Sequence, residues 1–226
     1  MTRTADVQAL RRVVFGRATC RAYLPGPVPE DVIRSIVDVA RGTASWCNTQ
    51  PWELVVTSGE ATERFRAALM EQVRQHPGLD SDFPFPDEYQ GVYLDRRRTA
   101  GLQLYAALGI GRGDKERRER QSFENFRLFG APHVAIVTVP ASLGTYGAVD
   151  AGGFVCAFLL SAQAHGVATT PQAALAMQSR FIRGYFDMPE DRRVVCGISF
   201  GHADTAHPVN GYRTARAGVD DILRLA

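Results

Sequence analysis

The sequence predicts an α+β fold in which a small central sheet is covered by helices. Strands and helices alternate along the 226 residues, but the predicted helices are longer and more numerous than the strands. No predicted strand leads through a G-x-G-x-x-G turn into a helix, which argues against a doubly wound dinucleotide-binding sheet. Because neither an internal repeat nor a low-complexity segment appears, we expect a single domain over residues 1–226.

The first half of the chain is mainly helical by pattern. A second helix begins at Pro29, because proline and two acids occupy its first turn and apolar residues from Val32 to Ala40 recur at helical spacing. A segment rich in proline, aspartate and aromatic residues follows later and is expected to be a long loop. In order, this half predicts a helix over 5–16, the helix from Pro29, a strand over 52–57, a helix over 60–75, the loop, and a helix over 91–108.

The second half alternates more regularly between helices and strands. Its most apolar helix carries Phe154, Phe158, Leu159 and Ala162, and its strongest strand is RVVCGISF. In order, this half predicts a charged helix over 114–128, a strand over 133–139, the apolar helix over 148–165, a short strand over 167–169, a helix over 173–186, the strand over 193–200, and a tail helix over 218–225.

The composition excludes several classes of function. A net charge of +2 is too mild for a nucleic-acid-binding surface, which needs clustered lysines and arginines. No segment reaches the ~20 apolar residues of a membrane helix, and the first residues lack the apolar run of a signal peptide. The four cysteines form no C-x-x-C pair, so we expect no disulfides, no zinc site and a reducing, cytoplasmic location. We predict no metal site.

Four polar segments contain residues suited to chemistry. In the first, Arg17, Thr19 and Arg21 alternate, so in an extended segment their side chains point the same way. Arginine suits a phosphate, because its planar guanidinium donates several hydrogen bonds. In the second, residues 44–52, a polar loop leads into a strand, and the Asn48 amide offers a donor and an acceptor to the edge of a heterocycle.

The third and fourth segments lie near the C-terminus. Residues 166–174 connect a strand to a helix, where free backbone N–H groups can bind an electron-rich atom, and residues 207–216 supply two more arginines. Taken alone, each of the four segments also has a plain structural interpretation. These are a solvated turn, a loop held by buried tryptophans, a strand–helix connection and a basic surface.

The order and content of the four segments resemble the nitroreductase family, and in particular its nitroaromatic and nitrobenzoate reductases. The resemblance runs from about residue 11 to the C-terminus, and residues 75–130 match only loosely. It rests on R-x-[ST]-x-R at 17–21, S-x-x-N-x-Q-P-W at 45–52, T-x-P-Q at 169–172, and G-H-x-D-x-x-x-P-V-N-x-x-R-T-x-R at 201–216.

This resemblance implies an α/β sandwich with a small, mostly antiparallel sheet, assembled as an intertwined homodimer with FMN at the interface. Arg17, Thr19 and Arg216 would hold the FMN phosphate, with Arg213 a weaker candidate. Arg21 would lie near the pyrimidine ring and stabilise the anionic reduced flavin. The cofactor-binding residues that it implies are Arg17, Ala18, Thr19, Arg21, Ala44, Ser45, Asn48, Pro171, Gln172, Ala173 and Arg216.

Two of these segments would complete the flavin site from different directions. Ala44, Ser45 and Asn48 would reach the FMN of the other subunit, although Ala44 stands where the family usually has proline. Pro171 would pack on one flavin face, and backbone groups around Gln172 and Ala173 would face the flavin N5 and O4 edge. NAD(P)H would give a hydride to the flavin, and a small-molecule acceptor would then take two electrons at the same place, with ping-pong kinetics.

Two other functions share this pattern. One is a reductase of enones or quinones on the same scaffold, and the other is a flavin-binding protein without turnover. In none of them does the chain need a covalent nucleophile, since the chemistry belongs to the cofactor. Anaerobic addition of NADPH separates the last from the enzymes, because only an enzyme bleaches the flavin rapidly.

Overall fold

The computed structural model describes residues 3–226, which form seven α-helices, six short 3-10 turns and one four-stranded sheet. The helices are α1 (Arg3–Gly16), α2 (Glu30–Ala40), α3 (Glu60–Gln75), α4 (Gly91–Ala107), α5 (Lys115–Phe123), α6 (Gly144–Ala164) and α7 (Ser179–Tyr185). The strands are β1 (Glu53–Ser58), β2 (His133–Pro140), β3 (Ala168–Gln172) and β4 (Arg192–Gly201).

The sheet has the strand order β1-β2-β4-β3, and every neighbouring pair is antiparallel. The predicted α+β class, with a small antiparallel sheet between helices, is therefore confirmed. β2 is central and buried along almost its whole length, as its continuous apolar run requires. β3 is an edge strand, and Thr19 adds to its free side through a parallel bridge to Thr169.

Two apolar clusters pack on the two faces of the sheet. The first includes Phe154 and Phe158 of α6 with Phe200 of β4. The second includes Phe65 of α3 and Leu175, which follows β3. Each such side chain contributes about 1.5–3 kcal/mol of burial free energy. Leu175 lies so close over β4 that a Cβ at Gly197 would collide with it, so this position requires glycine.

The helix α6 is apolar on more than one face. With the turn before it, over Ala141–Ala164, it is long and apolar enough to cross a membrane by length and composition alone, with a mean hydropathy of 1.5. Its inner face is buried in the first cluster against α2, β2 and β3. Exposed residues that share the opposite face are Val149, Gly152 and Cys156.

Four predicted elements after residue 110 have different limits, and the apolar helix begins at Gly144 instead of 148. The charged helix ends at Phe123 instead of 128, because the N–H groups of Asn125 and Phe126 bond three residues back instead of four. Leu128 and Phe129 then adopt left-handed φ values of 57° and 52°, which an α-helix does not contain. The helix predicted over 173–186 is divided into a 3-10 turn, Ala173–Met177, and α7. The strand predicted over 167–169 extends to Gln172, and an edge strand tolerates Pro171 because its outward positions need no ladder N–H.

The predicted tail helix over 218–225 is wrong. Only Val219–Asp221 turns, as a single 3-10 unit. A helix of eight residues is marginal without tertiary packing, and Ile222 and Leu225 remain 77% and 86% exposed.

Candidate functional site

Two distant stretches of the chain are joined beside β3, and we call this pairing of residues 17–24 with residues 202–216 the junction. Backbone hydrogen bonds connect its two halves, from the Leu24 N–H to the His202 carbonyl (2.8 Å) and from the Asp204 N–H to the Ala22 carbonyl (3.0 Å). The Cys20 N–H donates to the Thr169 carbonyl of β3 at 3.0 Å. The segment carrying Arg17, Thr19 and Arg21 is therefore extended and fixed to the sheet.

Asn210 holds the junction together with all the polar atoms of its side chain. Its Oδ1 accepts from the Arg21 N–H at 2.8 Å. Its Nδ2 donates to the carbonyls of Ala22 and Asp204, each at 2.8 Å. Sequence reasoning included Asn210 in a motif but gave it no role, since a contact across 189 positions leaves no local signal.

Arg21 has a free positive charge. Its Nη1 donates to the Tyr212 hydroxyl at 2.9 Å, and its guanidinium carbon lies 6.0 Å from the centre of the Tyr212 ring. Within residues 3–226, no carboxylate forms an ion pair with Arg21. The charge is thus available to a ligand, and the Tyr212 hydroxyl orients it. Tyr212 is a second functional candidate that the sequence analysis missed.

Arg17 and Arg216 form a second cationic centre. Burial lowers the pKa of Arg17, and the nearby positive charge of Arg216 lowers that pKa further. The Nη1 atom of Arg17 is buried and has no hydrogen-bond partner in the described part of the chain. The guanidinium of Arg216 donates to its neighbours Thr214 and Ala215. Two close cations with an unsatisfied buried donor are suited to an anion.

Arg213 is more fully engaged than Arg17. Its Nη1 donates to the carbonyls of Asn210 and Tyr212, each at 2.8 Å. It lines a cavity of about 450 Å³ together with Ala18 and Thr19. Of the predicted residues, the structure therefore gathers Arg17, Ala18, Thr19 and Arg21 with the arginines of the C-terminal segment.

A smaller cavity of about 250 Å³ opens beside Arg21. Thr19 and Arg21 line one side of it, and Thr170 and Pro171 of β3 line another. Its remaining wall belongs to α4, α5 and the turn after them, and consists of Leu104, Tyr105, Gln121, Ser122, Asn125 and Phe129. Sequence reasoning named none of these residues, because residues 75–130 match the family pattern only loosely.

Along β3, successive residues direct their backbone N–H and C=O groups alternately towards β4 and away from it. Because the Thr169 carbonyl accepts from Cys20, Thr169 directs its peptide groups away from β4, and Pro171 does the same. Gln172 pairs with Gly197 and directs its own peptide groups towards β4. The strand ends there, because Ala173 begins the 3-10 turn Ala173–Met177, and Pro171 lines the smaller cavity.

The loop containing Ala44, Ser45 and Asn48 lies apart from these residues, and neither cavity is lined by any residue of 44–50. The loop is exposed and strained, with φ values of 49° at Cys47, 56° at Asn48 and 46° at Gln50. Such conformations cost about 1–3 kcal/mol each for residues other than glycine and are typical of functional sites.

The strained loop is held by two contacts. The Gln50 N–H donates to the Ser45 hydroxyl at 3.0 Å. The Trp46 N–H donates to both carboxylate oxygens of Asp150 on α6, at 3.1 and 3.2 Å. Trp46 also packs on Tyr146, with ring centres 4.8 Å apart. The Asn48 amide is thereby presented to the outside of the chain.

Comparison with known proteins places these features in one family. A protein-family model described as the nitroreductase family matches residues 14–202. The chain is 37% identical to the nitroreductase NfnB of Mycolicibacterium smegmatis, covering 99% of this chain and 95% of that protein. It is 34% identical to a 4-nitrobenzoate reductase of Pseudomonas putida, covering 90% of this chain and 89% of that protein.

The fold agrees with the same comparison. The chain is similar to the crystal structure of an FMN-dependent nitroreductase from Mycobacterium smegmatis in complex with NADPH. The TM-score is 0.92 and the identity is 37%, over 97% of this chain and 99% of that one.

Proposed function

The chain belongs to the nitroreductase family, and we propose that it is an FMN-dependent oxidoreductase that uses NAD(P)H to reduce nitroaromatic compounds or related small-molecule acceptors. The names of its relatives support this activity, since they include a nitroreductase and a 4-nitrobenzoate reductase. In this chain, the observation that carries the proposal is the buried, unpaired Nη1 of Arg17 beside the like charge of Arg216.

The residues of the junction fit a flavin mononucleotide. A phosphate monoester carries nearly two negative charges at neutral pH, which two arginines balance. Arg17 and Arg216 would hold this phosphate, and the Thr19 hydroxyl would donate to one of its oxygens. Arg17 and Arg216 would bind a single phosphate group, which FMN supplies, so FMN fits better than FAD.

Arg21 would act at the pyrimidine end of the flavin. When bound, FMN supplies two-electron chemistry through its N5 atom. The guanidinium of Arg21 would stabilise negative charge at the ring edge, and the Tyr212 hydroxyl, at 2.9 Å from Nη1, would keep it in place. Pro171 would pack on one ring face, and backbone groups around Gln172 and Ala173 would face the N5 and O4 edge of the flavin.

One face of the flavin serves both substrates in this proposal. Because Pro171 would cover one face of the ring, NAD(P)H and the acceptor would use the other face in turn, and steady-state rates would follow ping-pong kinetics. A series of parallel double-reciprocal lines supports this order, and intersecting lines contradict it.

A second copy of the chain would complete the site. The strained loop turns Asn48 outwards and lies apart from both cavities of its own chain, so Ala44, Ser45 and Asn48 would meet the flavin of a partner. The exposed face of α6 also needs a cover, because a helix that is apolar all round is normally buried. Further apolar residues are exposed on α1 and in the tail, namely Val7, Leu10, Phe15, Val219, Ile222 and Leu225.

The decisive experiment identifies the cofactor and its turnover. Denatured, purified protein should release FMN, and the released flavin is identified by chromatography. Anaerobic NADPH should bleach the bound flavin within seconds, and air or a nitroarene should restore its colour. A released FAD contradicts the cofactor, while a flavin that stays yellow with NADPH and NADH indicates a binding protein without turnover.

A panel of acceptors distinguishes the two enzymatic alternatives. Nitrobenzene, 4-nitrobenzoate, a quinone and an enone are compared by kcat/KM with the same reduced protein. The proposal expects the nitroarenes to lead, and a clear preference for the enone or the quinone would favour the other reductase. The proposal includes a location in a reducing cytoplasm, because the four cysteines form no C-x-x-C pair.

A further inference from the structure

The side chain of Gln172 connects the two walls of the smaller cavity. We propose that Gln172 is a positioning residue, which ties β3 to the α5 wall and thereby determines how tightly the electron acceptor is held. This inference rests on the proposed function, because it concerns the acceptor of the same site. It assigns to the Gln172 amide a role distinct from any backbone contact with the flavin.

Both polar atoms of the Gln172 side chain are used. The side chain is buried, with the residue only 2% exposed. Its Oε1 accepts from the Ser199 hydroxyl of β4 at 2.5 Å. Its Nε2 donates to the Asn125 carbonyl at 2.7 Å, just beyond the end of α5. The amide is therefore fixed by the sheet on one side and holds the turn after α5 on the other.

The wall that this hydrogen bond supports has little packing of its own. Neither α4 nor α5 contributes a buried residue, so both helices lie over the cavity with no apolar anchor within their own lengths. The chain is attached again after α5, where Phe126 packs on the second apolar cluster and Arg66 Nε donates to the Arg127 carbonyl at 2.9 Å. Phe129, which follows in this turn, is buried and also lines the cavity. Of the two hydrogen bonds, the one from Gln172 reaches a residue that lines the cavity.

Asn125 carries the effect from Gln172 to the cavity. It receives the hydrogen bond on its carbonyl and also lines the cavity. Gln121 and Ser122, about one helical turn earlier, line the cavity with it. If the Nε2 donor is lost, the Asn125 carbonyl is left without this partner, and the turn can move away from β3. The acceptor would lose contacts with the wall, while Arg17 and Arg216 would still hold the flavin phosphate.

Gln178 provides a matched control. It is also a buried amide, 4% exposed, and its Nε2 donates to a loop carbonyl, that of Gly78, at 3.2 Å. Its Oε1 accepts from the Gln72 amide at 3.3 Å. Gln178 does not line the smaller cavity. Gln172→Met and Gln178→Met therefore each remove one buried side-chain amide and its hydrogen bonds. Of the two residues, only Gln172 contacts the α5 wall.

The experiment compares the two variants by hydrogen exchange and by kinetics. In Gln172→Met, amides of residues 119–127 should exchange about tenfold faster, and KM for nitrobenzene should rise about tenfold, as the loss of one hydrogen bond predicts. The dissociation constant of FMN should change less than twofold. In Gln178→Met, exchange in residues 119–127 and KM should both remain within twofold of wild type.

Two results overturn the proposal: unchanged exchange in residues 119–127 of Gln172→Met, or equal increases in KM for the two variants. If Gln172→Met does not fold, Gln172→Glu decides, because its carboxyl can donate to Asn125 only when protonated. The KM of Gln172→Glu should then fall towards the wild-type value as the pH is lowered. A pH profile of KM parallel to that of wild type would contradict the proposed role of the hydrogen bond from residue 172 to Asn125. If wild type binds no FMN, the proposed function fails. The comparison of hydrogen exchange in residues 119–127 still tests whether Gln172 holds the α5 wall.

Discussion

The junction and the loop of residues 44–50 carry equally distinctive motifs, but the chain supports them very differently. In the junction, Asn210 alone makes two hydrogen bonds between the two halves and a third within its own half, and the backbone is paired to β3. The loop is exposed, has three residues with left-handed φ, and depends on Ser45 and Asp150 for its conformation. One half of the proposed site is thus complete within a chain, and the other is presented outwards.

The difference indicates how assembly and cofactor binding would be coupled. A monomer would keep its phosphate-binding arginines in place, but it would supply no Asn48 to its own flavin. Binding of FMN would then stabilise the dimer by mass action, since each proposed flavin site is built from both chains.

The largest effect is expected from mixed dimers. Arg17→Ala and Asn48→Ala should each be nearly inactive alone, because each damages both sites of a homodimer. When the two are unfolded and refolded together in equal amounts, half of the dimers should be mixed, and each mixed dimer would have one intact site. Activity should return to about a quarter of wild type. No recovery, in mixtures shown by mass spectrometry to contain mixed dimers, would contradict a site shared between chains.

Arg216→Ala tests the phosphate end of the junction. It removes a charge-assisted hydrogen bond worth about 1.5–3 kcal/mol, so FMN should bind about 10- to 100-fold more weakly. Arg213→Ala is the control, because that guanidinium already donates to the carbonyls of Asn210 and Tyr212, and its removal should weaken binding less. A fluorescence titration measures the affinity of both variants for FMN, and an equal or larger loss in Arg213→Ala would contradict this assignment.

Two variants of Asn48 separate the effect of the loop conformation from the effect of the side-chain amide. Asn48→Gly keeps the left-handed conformation and removes the amide, whereas Asn48→Ala removes the amide and adds backbone strain of about 1 kcal/mol. If the amide contacts the partner's flavin, both variants should lose affinity for FMN, and alanine should lose up to about fivefold more. Glycine behaving like wild type would show that only the conformation of the loop matters.

The smallest effect concerns His133, which lies behind the junction. Its Nε2 accepts from the Val28 N–H at 2.8 Å, and its ring stacks on Phe200. Burial lowers the pKa of His133 in the folded protein, and the charge of His202 lowers it further. The unfolded chain therefore takes up a proton first, and folding stability should fall as the pH drops below about 6.5.

A variant isolates this contribution from the other titrating groups. His133→Gln removes the proton-binding group, so its free energy of unfolding should depend less on pH between 7.5 and 5 than that of wild type. The difference in slope cannot exceed about 1.4 kcal/mol per pH unit for one proton. Urea denaturation at the two pH values measures it, and identical slopes would show that His133 does not titrate on unfolding.

The elements that the sequence predicted well are those with a regular period. The limits of α3 agree at both ends, and those of β2 and β4 agree within one residue, because amphipathic spacing and continuous apolar runs are local properties of the chain. The predicted limits of α5 were wrong. The left-handed residues after it, Leu128 and Phe129, are neither glycine nor asparagine, so their residue types did not indicate an irregular backbone.

The candidate site was predictable to the extent that it lies in short motifs. Arg17 and Arg216 were found by pattern, and the structure brings them close. Other residues stabilise the site through contacts with residues far away in the sequence; these are Asn210, Tyr212 and the side chain of Gln172. Such pairings produce no periodicity and no local spacing, so only the folded chain reveals them.

The glycine at position 197 has a consequence for how new activities can arise on this scaffold. Because Leu175 fills the space above it, a larger residue there would displace the turn that follows β3, and with it the edge that is proposed to face the flavin. That side of the cavity therefore leaves little room for variation. The opposite wall, on α4 and α5, has no buried residue within those helices and can change without disturbing the core. A library designed to widen the range of acceptors should therefore vary Tyr105, Gln121 and Ser122 and leave the sheet untouched.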